Sequence, residues 1–191
     1  AGLTGDERPL LARLRTEHLL RSGVAAEQVE LYHDRIRETL TQQIGVERSQ
    51  KIHHRLLTAL EAQGVDDPES LFEHSMGAGL SERAAGHAVR AAERAAETLA
   101  FDRAAKFYRR ALELAPADAN PTPLWLGLAE ALANAGRGRE AADAYLTAAA
   151  RAREPLALEW RRRAAEQLLR SGHVDRGLSV VRSVLQAVGL R

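Results

Sequence analysis

The side chains able to do chemistry are few and poorly spaced for it. The chain has no cysteine, which excludes disulfides, thiolate metal sites and a cysteine nucleophile and fits a reducing, cytoplasmic setting. His53 and His54 are adjacent, so on a helix they point in different directions and do not readily share a metal. His18, His74, His87 and His173 have no second histidine at ligand spacing. Lys51 and Lys106 are the only lysines and neither follows Gly, so no phosphate-cradling loop is present. Gly77-Ala78-Gly79 lacks the third glycine of a dinucleotide loop. His33-Asp34-Arg35 is not the His-Arg-Asp order of a kinase catalytic loop. No Ser-His-Asp constellation is apparent. No catalytic, cofactor-binding or metal residue is assigned, and no cofactor is expected. The plainer role for Asp34 is to cap a helix that begins there, a contribution of roughly 1 kcal/mol. Arg161-Arg162-Arg163 is a charge run, whose ordinary meaning is a solvated helix face.

What must position these groups is a soluble, helical chain. Of 191 residues, 45% are apolar, 28% charged and only 4% aromatic. That balance suits an Ala- and Leu-rich helical core better than a sheet. The net charge is +1. Residues 1–66 hold 9 basic and 10 acidic residues, and residues 67–191 hold 18 and 16. Neither part has the basic surplus of a non-specific nucleic-acid binder. No apolar run reaches the length of a membrane span, and no signal peptide is read. The chain opens on Ala1, read here as a processed or trimmed end with part of the function in further sequence.

Helical periodicity predicts helices over about 8–21, 34–44, 47–63, 68–78, 81–99, 101–115, 122–135, 139–152, 156–171 and 174–188. Gly23, Gly45, Gly64, Gly79, Gly136 and Gly172 each follow such a stretch, where a left-handed C-terminal residue belongs. Asp67-Pro68 offers an N-cap and a first-turn proline. Ser81-Glu82 offers a hydroxyl cap and a first-turn acid, and Pro121-Thr122-Pro123 separates two helices. Val29 to His33 is the one expected strand.

An internal repeat is the strongest pattern. Ala104, Tyr108 and Ala111 correspond to Ala141, Tyr145 and Ala148, then to Gly177, Val181 and Val184. Trp125, Leu128, Ala129, Leu132 and Gly136 correspond to Arg161, Ala164, Ala165, Leu168 and Gly172, and earlier to Ala88, Ala91, Ala92, Ala95 and Leu99. Small residues at these places allow helix backbones to approach, with Phe101, Tyr108, Trp125 and Tyr145 filling the spaces between layers. The pattern resembles the tetratricopeptide repeat, whose signature is a Trp, a Leu-Gly, a Tyr and spaced alanines. Ala129 stands where that family has Gly, and Arg161 where it has Trp. The resemblance implies an all-α fold: a right-handed helical repeat array over 65–191, with repeats at about 65–96, 85–118, 122–155 and 158–191. In the first of these the second helix would be fused to the first helix of the next.

Residues 1–64 do not fit the repeat and resemble a winged-helix remnant. Tyr32-His33-Asp34-Arg35-Ile36-Arg37-Glu38-Thr39-Leu40 resembles a run in large bacterial serine/threonine protein kinases that join a kinase, an AAA/STAND-type ATPase and a tetratricopeptide array. His54-Arg55-Leu56-Leu57, Asp67-Pro68-Glu69, Gly86 to Arg110 and Ser171-Gly172-His173 to Gly189-Leu190 are similar to the same family. The resemblance implies a non-catalytic interaction and regulatory segment, with the parent's ATPase and kinase domains as intramolecular partners. In that setting His33, held by Asp34, would sense the ATPase core. It also implies a concave groove lined by first helices, at Val89, Glu93, Glu97, Leu126, Glu130, Asn134, Arg162, Glu166 and Arg170. Glu93, Glu130 and Glu166 form an acidic ladder there, which suits a basic protein or peptide with an apolar anchor and disfavours a peptide carboxylate. Val181, Val184, Leu185 and Val188 form an uncapped final face expected to self-associate. Two rival readings are an ATPase–repeat transcription regulator fragment, which needs a basic recognition helix, and a hydrolase on a helical scaffold, which needs paired acids or a metal cluster.

Overall fold

The structure is a computed structural model that describes residues 8–22, 29–31, 39 and 43–190. The chain divides into two compact units, residues 1–65 with 77–79, and residues 66–76 with 80–191. Helices carry the fold throughout the described residues.

In the first unit, α1 spans Arg8–Thr16, shorter than the 8–21 expected from periodicity. It stops because His18 takes a left-handed φ of 55°, and the Leu19 amide turns back to the Leu14 carbonyl at 3.0 Å. The chain then extends into β1, Leu20–Ser22, which pairs antiparallel with β2, Val29–Leu31, in the register Leu20 to Leu31. The expected strand over 29–33 is thus present in its first three residues. Tyr32, His33, Asp34 and most of the 34–44 helix lie outside the described residues. Helix α2 is Val46–Ala62, with Gly45 as its N-cap at φ −54°. Gly45 therefore lacks the left-handed φ expected of a C-terminal glycine and serves as the cap of the helix that follows.

The second unit is seven helices in series: α3 Pro68–Gly77, α4 Ser81–Glu97, α5 Phe101–Leu114, α6 Thr122–Asn134, α7 Gly138–Ala149, α8 Leu156–Arg170 and α9 Val174–Ala187. Asp67 caps α3 as its residue type suggests: the Ser70 amide donates to its Oδ1 at 3.4 Å and the Ser70 hydroxyl to its Oδ2 at 2.6 Å. These bonds hold the Asp67 carboxyl below the ordinary aspartate range. The expected Ser81 cap is not formed. Leu80 is the N-cap of α4, with no side-chain bond, because the preceding turn already sets the entry: the Leu80 amide bonds the Ser75 carbonyl at 2.9 Å.

From α4 onward each helix packs on the next in sequence. Three of the turns between them are alike. After α4, α6 and α8 the amides of Ala100, Arg137 and His173 bond the carbonyls of Ala95, Leu132 and Leu168 at 2.8, 2.9 and 2.8 Å. The residue before each is left-handed: Leu99 at 60°, Gly136 at 76° and Gly172 at 82°. This is the six-to-one closure of a Schellman turn. Ala100, Arg137 and His173 then share φ near −90° and ψ near 60°. One local geometry thus recurs 37 and then 36 residues on.

Of the 26 buried apolar residues among the described ones, 18 are alanines. Packing density therefore comes from close backbone approach and not from bulky side chains. Phe72 and Phe107 meet edge to face, centroids 5.6 Å apart, in a cluster with Ala84, Ala88 and Ala111. A second cluster runs from Ala95 to Leu168, with Tyr145 buried and Tyr108 and Trp125 half-buried against it. Gly177 sits at the position held by Ala104 and Ala141, and an added Cβ there would lie 2.7 Å from Leu169 Cδ2.

Ion pairs tie alternate elements together at nearly the same spacing. Arg103 of α5 reaches Glu69 of α3, and Arg137 reaches Asp102. Arg109 of α5 meets Glu140 of α7, Arg163 of α8 meets Glu130 of α6, and Arg176 of α9 meets Asp143 of α7. These partners stand 31 to 35 residues apart. They are largely exposed, so each adds at most about 1 kcal/mol. Their greater effect is to fix the register of one hairpin on the next.

Candidate functional site

The first helix of each hairpin contributes a glutamate at one register: Glu93 from α4, Glu130 from α6 and Glu166 from α8, all exposed. Tyrosines of the second helices lie between them. The Tyr108 hydroxyl is pushed above the ordinary phenol range by burial and by the charges of Glu93 and Glu130. Burial does the same to Tyr145, the Arg163 guanidinium pulls against it, and Glu130 and Glu166 add to the rise. Acid and phenol thus alternate along one face. Gly127 makes the seat for Tyr108: a Cβ on it would lie 2.4 Å from the ring.

A cleft of about 420 Å³ opens where α6, α7 and α8 meet, lined by Glu130, Asn134, Tyr145, Arg162, Arg163 and Glu166, among others. Four of the nine residues singled out from sequence therefore share one cleft. Glu93 and Glu97 line another, of about 340 Å³, with Asp66, Arg90 and Arg94. Val89 and Leu126 are half-buried against the two core clusters. Arg170 is exposed on the last turn of α8, 3.6 Å from Glu166.

Two rungs of the acidic ladder, Glu130 and Glu166, are answered by arginines. Glu130 accepts from Arg163 Nη1 at 3.3 Å, and Glu166 lies 3.4 Å from Arg162 Nη1. Arg90 reaches Asp66 at 2.8 Å beside Glu93. Arg162 also holds Glu159 in a fork, at 2.8 and 2.9 Å, while Arg163 Nε adds a third bond at 3.0 Å. These bonds, Arg162 first, pull the Glu159 carboxyl down to about 2. The Arg161 to Arg163 run is thus paired within its own helix region: Arg162 and Arg163 share Glu159, and Arg161 bonds Glu154 at 2.9 Å. Glu159 and Arg163 were missed in the sequence. Glu159 could have been found from its three- and four-residue spacing to Arg162 and Arg163, whereas the reach from Arg163 to Glu130 needed the fold.

The face can hold a chain by charge, hydrogen bonds and aromatic contact. Its paired charges lie on helices, and its two phenols, Tyr145 buried and Tyr108 half-buried, form apolar walls beside them. Among the described residues no group of three or more His, Cys, Asp or Glu side chains could hold a metal ion, and no helix is long and apolar enough to cross a membrane. Ser171 Oγ lies 3.1 Å from His173 Nδ1, but the hydroxyl also donates to the Gln167 carbonyl at 2.7 Å. That is the local bonding of a helix end, with the hydroxyl proton committed to the backbone. Neither a family model nor a curated protein sequence matches this chain.

Proposed function

We propose that residues 65–191 form a tetratricopeptide-like, right-handed array that serves as a non-catalytic protein-interaction segment. Its concave groove takes a protein segment or peptide carrying basic residues and an apolar anchor. The parent is a bacterial signalling serine/threonine kinase with an ATPase domain, and the array transmits partner binding to those domains. The reading involves no nucleic acid and no membrane, and places the segment in the cytoplasm. The observation that carries it is the alternation of Glu93, Tyr108, Glu130, Tyr145 and Glu166 along one face, with Glu130, Tyr145 and Glu166 lining one cleft. An arginine or lysine of the incoming chain would replace the long contacts that Glu130 and Glu166 now make. The like turns at Leu99, Gly136 and Gly172 support the repeat reading.

The test uses fluorescein-labelled peptides of one length, with Leu anchors and either Arg or Glu at alternate positions, titrated against the chain by anisotropy. The Arg series should bind and the Glu series should not. Glu130→Lys with Glu166→Lys should weaken the Arg series roughly tenfold, a loss of about 1.4 kcal/mol. Equal binding by both proteins removes the groove. A phosphate-binding loop encoded in frame upstream of Ala1 is the matching genetic expectation; without one, the kinase–ATPase part of the proposal falls.

A further inference from the structure

One rung of the groove is arranged for a cation that the chain does not supply. In the later layer Arg163 of α8 reaches back to Glu130 of α6 at 3.3 Å, and its charge opposes the rise that burial causes in the pKa of Tyr145 on α7. Glutamate, phenol and guanidinium thus meet across three successive helices. One layer earlier Glu93 of α4 stands where Glu130 does, and Tyr108 of α5 where Tyr145 does. Gly127 of α6 stands where Arg163 does, each three residues before the glutamate of its own helix. Gly127 has no side chain to reach Glu93, and the fold leaves no room for one: an added Cβ would lie 2.4 Å from Tyr108 Cζ and 2.8 Å from its hydroxyl oxygen. Glu93 is exposed and has no ion-pair partner among the described residues. The arginines that share its cleft, Arg90 and Arg94, are both held by Asp66, at 2.8 and 3.3 Å. Burial, then the charges of Glu93 and Glu130, raise the Tyr108 hydroxyl, with no arginine opposing them as Arg163 does at Tyr145.

We propose that Glu93, Tyr108 and Glu130 form a subsite for one arginine side chain of the bound protein segment, which takes the place that Arg163 takes one layer on. Glu93 is the main partner. Glu130 meets Arg163 through Oε1 and keeps Oε2 for the incoming group. A guanidinium suits the place better than an ammonium, because its planar fork carries five N–H donors, enough for two carboxylates and the phenol oxygen at once. The assignment rests on the groove being the binding face, and adds which residue of the segment is read and where.

The probes are fluorescein-labelled peptides with Leu anchors and a single Arg, set at each alternate position in turn with Gln at the others, titrated against the full chain by anisotropy. In the best binder, exchanging Arg for citrulline keeps the shape, removes the charge and should weaken binding about tenfold; exchanging it for Lys should weaken binding about threefold. Both losses should vanish in Glu93→Gln, an exposed change that breaks no ion pair of the fold, and shrink in Tyr108→Phe. Glu97→Gln, in the same cleft, should leave them as they are. A citrulline loss that persists in Glu93→Gln, or that Glu97→Gln removes equally well, overturns the subsite while the groove stands. Equal affinity for the Arg and Lys peptides overturns the guanidinium fork. Absence of saturable binding by every single-Arg peptide at millimolar concentration also overturns the subsite, and the groove falls with it only if the peptides with several arginines fail as well.

Discussion

Leu99 holds a backbone conformation that its two counterparts assign to glycine. Its φ is 60°, where Gly136 and Gly172 have 76° and 82°. A left-handed residue with a Cβ costs about 1–2 kcal/mol relative to the right-handed form. Glycine at the same place gives back about 0.5–1 kcal/mol through its freer unfolded chain. The side chain offsets little, since Leu99 is 73% exposed. Leu99→Gly should therefore stabilise the chain by about 0.5–1 kcal/mol, a rise of roughly 1–4 °C in Tm for a chain of this size. Leu99→Ala keeps the strain and should be neutral. By the same balance Gly136→Ala and Gly172→Ala should each lose about 0.5–1 kcal/mol. Urea and thermal melts followed by circular dichroism read all four. Hydrogen exchange at the Ala100 amide, which closes the turn on Ala95 at 2.8 Å, separates a local gain from a global one. If Leu99→Gly is no more stable than the parent while Gly136→Ala loses stability, backbone strain is not what distinguishes Leu99.

Two further expectations set opposing effects against each other. At Gly138, the first residue of α7, helix propensity favours alanine by up to about 1 kcal/mol. An added Cβ, however, would lie 2.8 Å from the Gln167 carbonyl oxygen. That atom belongs to a helix backbone, so the overpacking cost of about 1–3 kcal/mol wins. Gly138→Ala should lower the urea midpoint, and a raised midpoint would show that α8 yields at no cost. Glu159 is the clearest source of acid sensitivity. Its folded pKa of about 2 lies below the ordinary 4.5, so the stability it contributes is complete above pH 4.5 and lost as pH falls toward 2. Carboxyl NMR should find its midpoint near 2, rising toward the ordinary value in Arg162→Gln. A midpoint that stays near 2 in that variant would remove the Arg162 fork as the cause.

Helix boundaries were legible where a residue type has one physical use. Asp67-Pro68 begins α3, and the left-handed glycines at 64, 79, 136 and 172 close turns. The alanine positions aligned in the sequence were legible because close approach tolerates nothing larger, and Ala88, Ala95, Ala104, Ala129, Ala141 and Ala164 are among those buried. Ser81 misled because a good capping residue stands next to a turn that already holds Leu80. Thr16 was read through because Leu19 and Leu20 extend the apolar stripe past the point where His18 reverses the backbone. The groove was half legible. The spacing of Glu93, Glu130 and Glu166 is in the sequence, but the arginines that answer Glu130 and Glu166 are not singled out by it. With 27 basic and 26 acidic residues, a reach of 31 to 35 residues admits many pairings, and only the fold, with α8 packed on α7 and α7 on α6, selects Arg163 for Glu130.

The contrast between α7 and α9 shows what sets burial in such a stack. Both follow the same turn, with Arg137 and His173 in one conformation, and both carry apolar residues in one register. Yet α7 buries seven residues and α9 only Gly177. The amphipathic face of each helix offers a surface, and the layer above decides whether water leaves it. Hydrophobic stabilisation therefore depends on what covers each helix, and within residues 8–190 α9 gains less of it than α7. A ligand that covers α9 must then raise the stability of the last hairpin by RT ln(1 + [L]/Kd), with the largest slowing of hydrogen exchange in α9 and little change in α4. If such a ligand instead protected α4 and α9 equally, the stack would behave as one cooperative block, and the local account of its stability would fail.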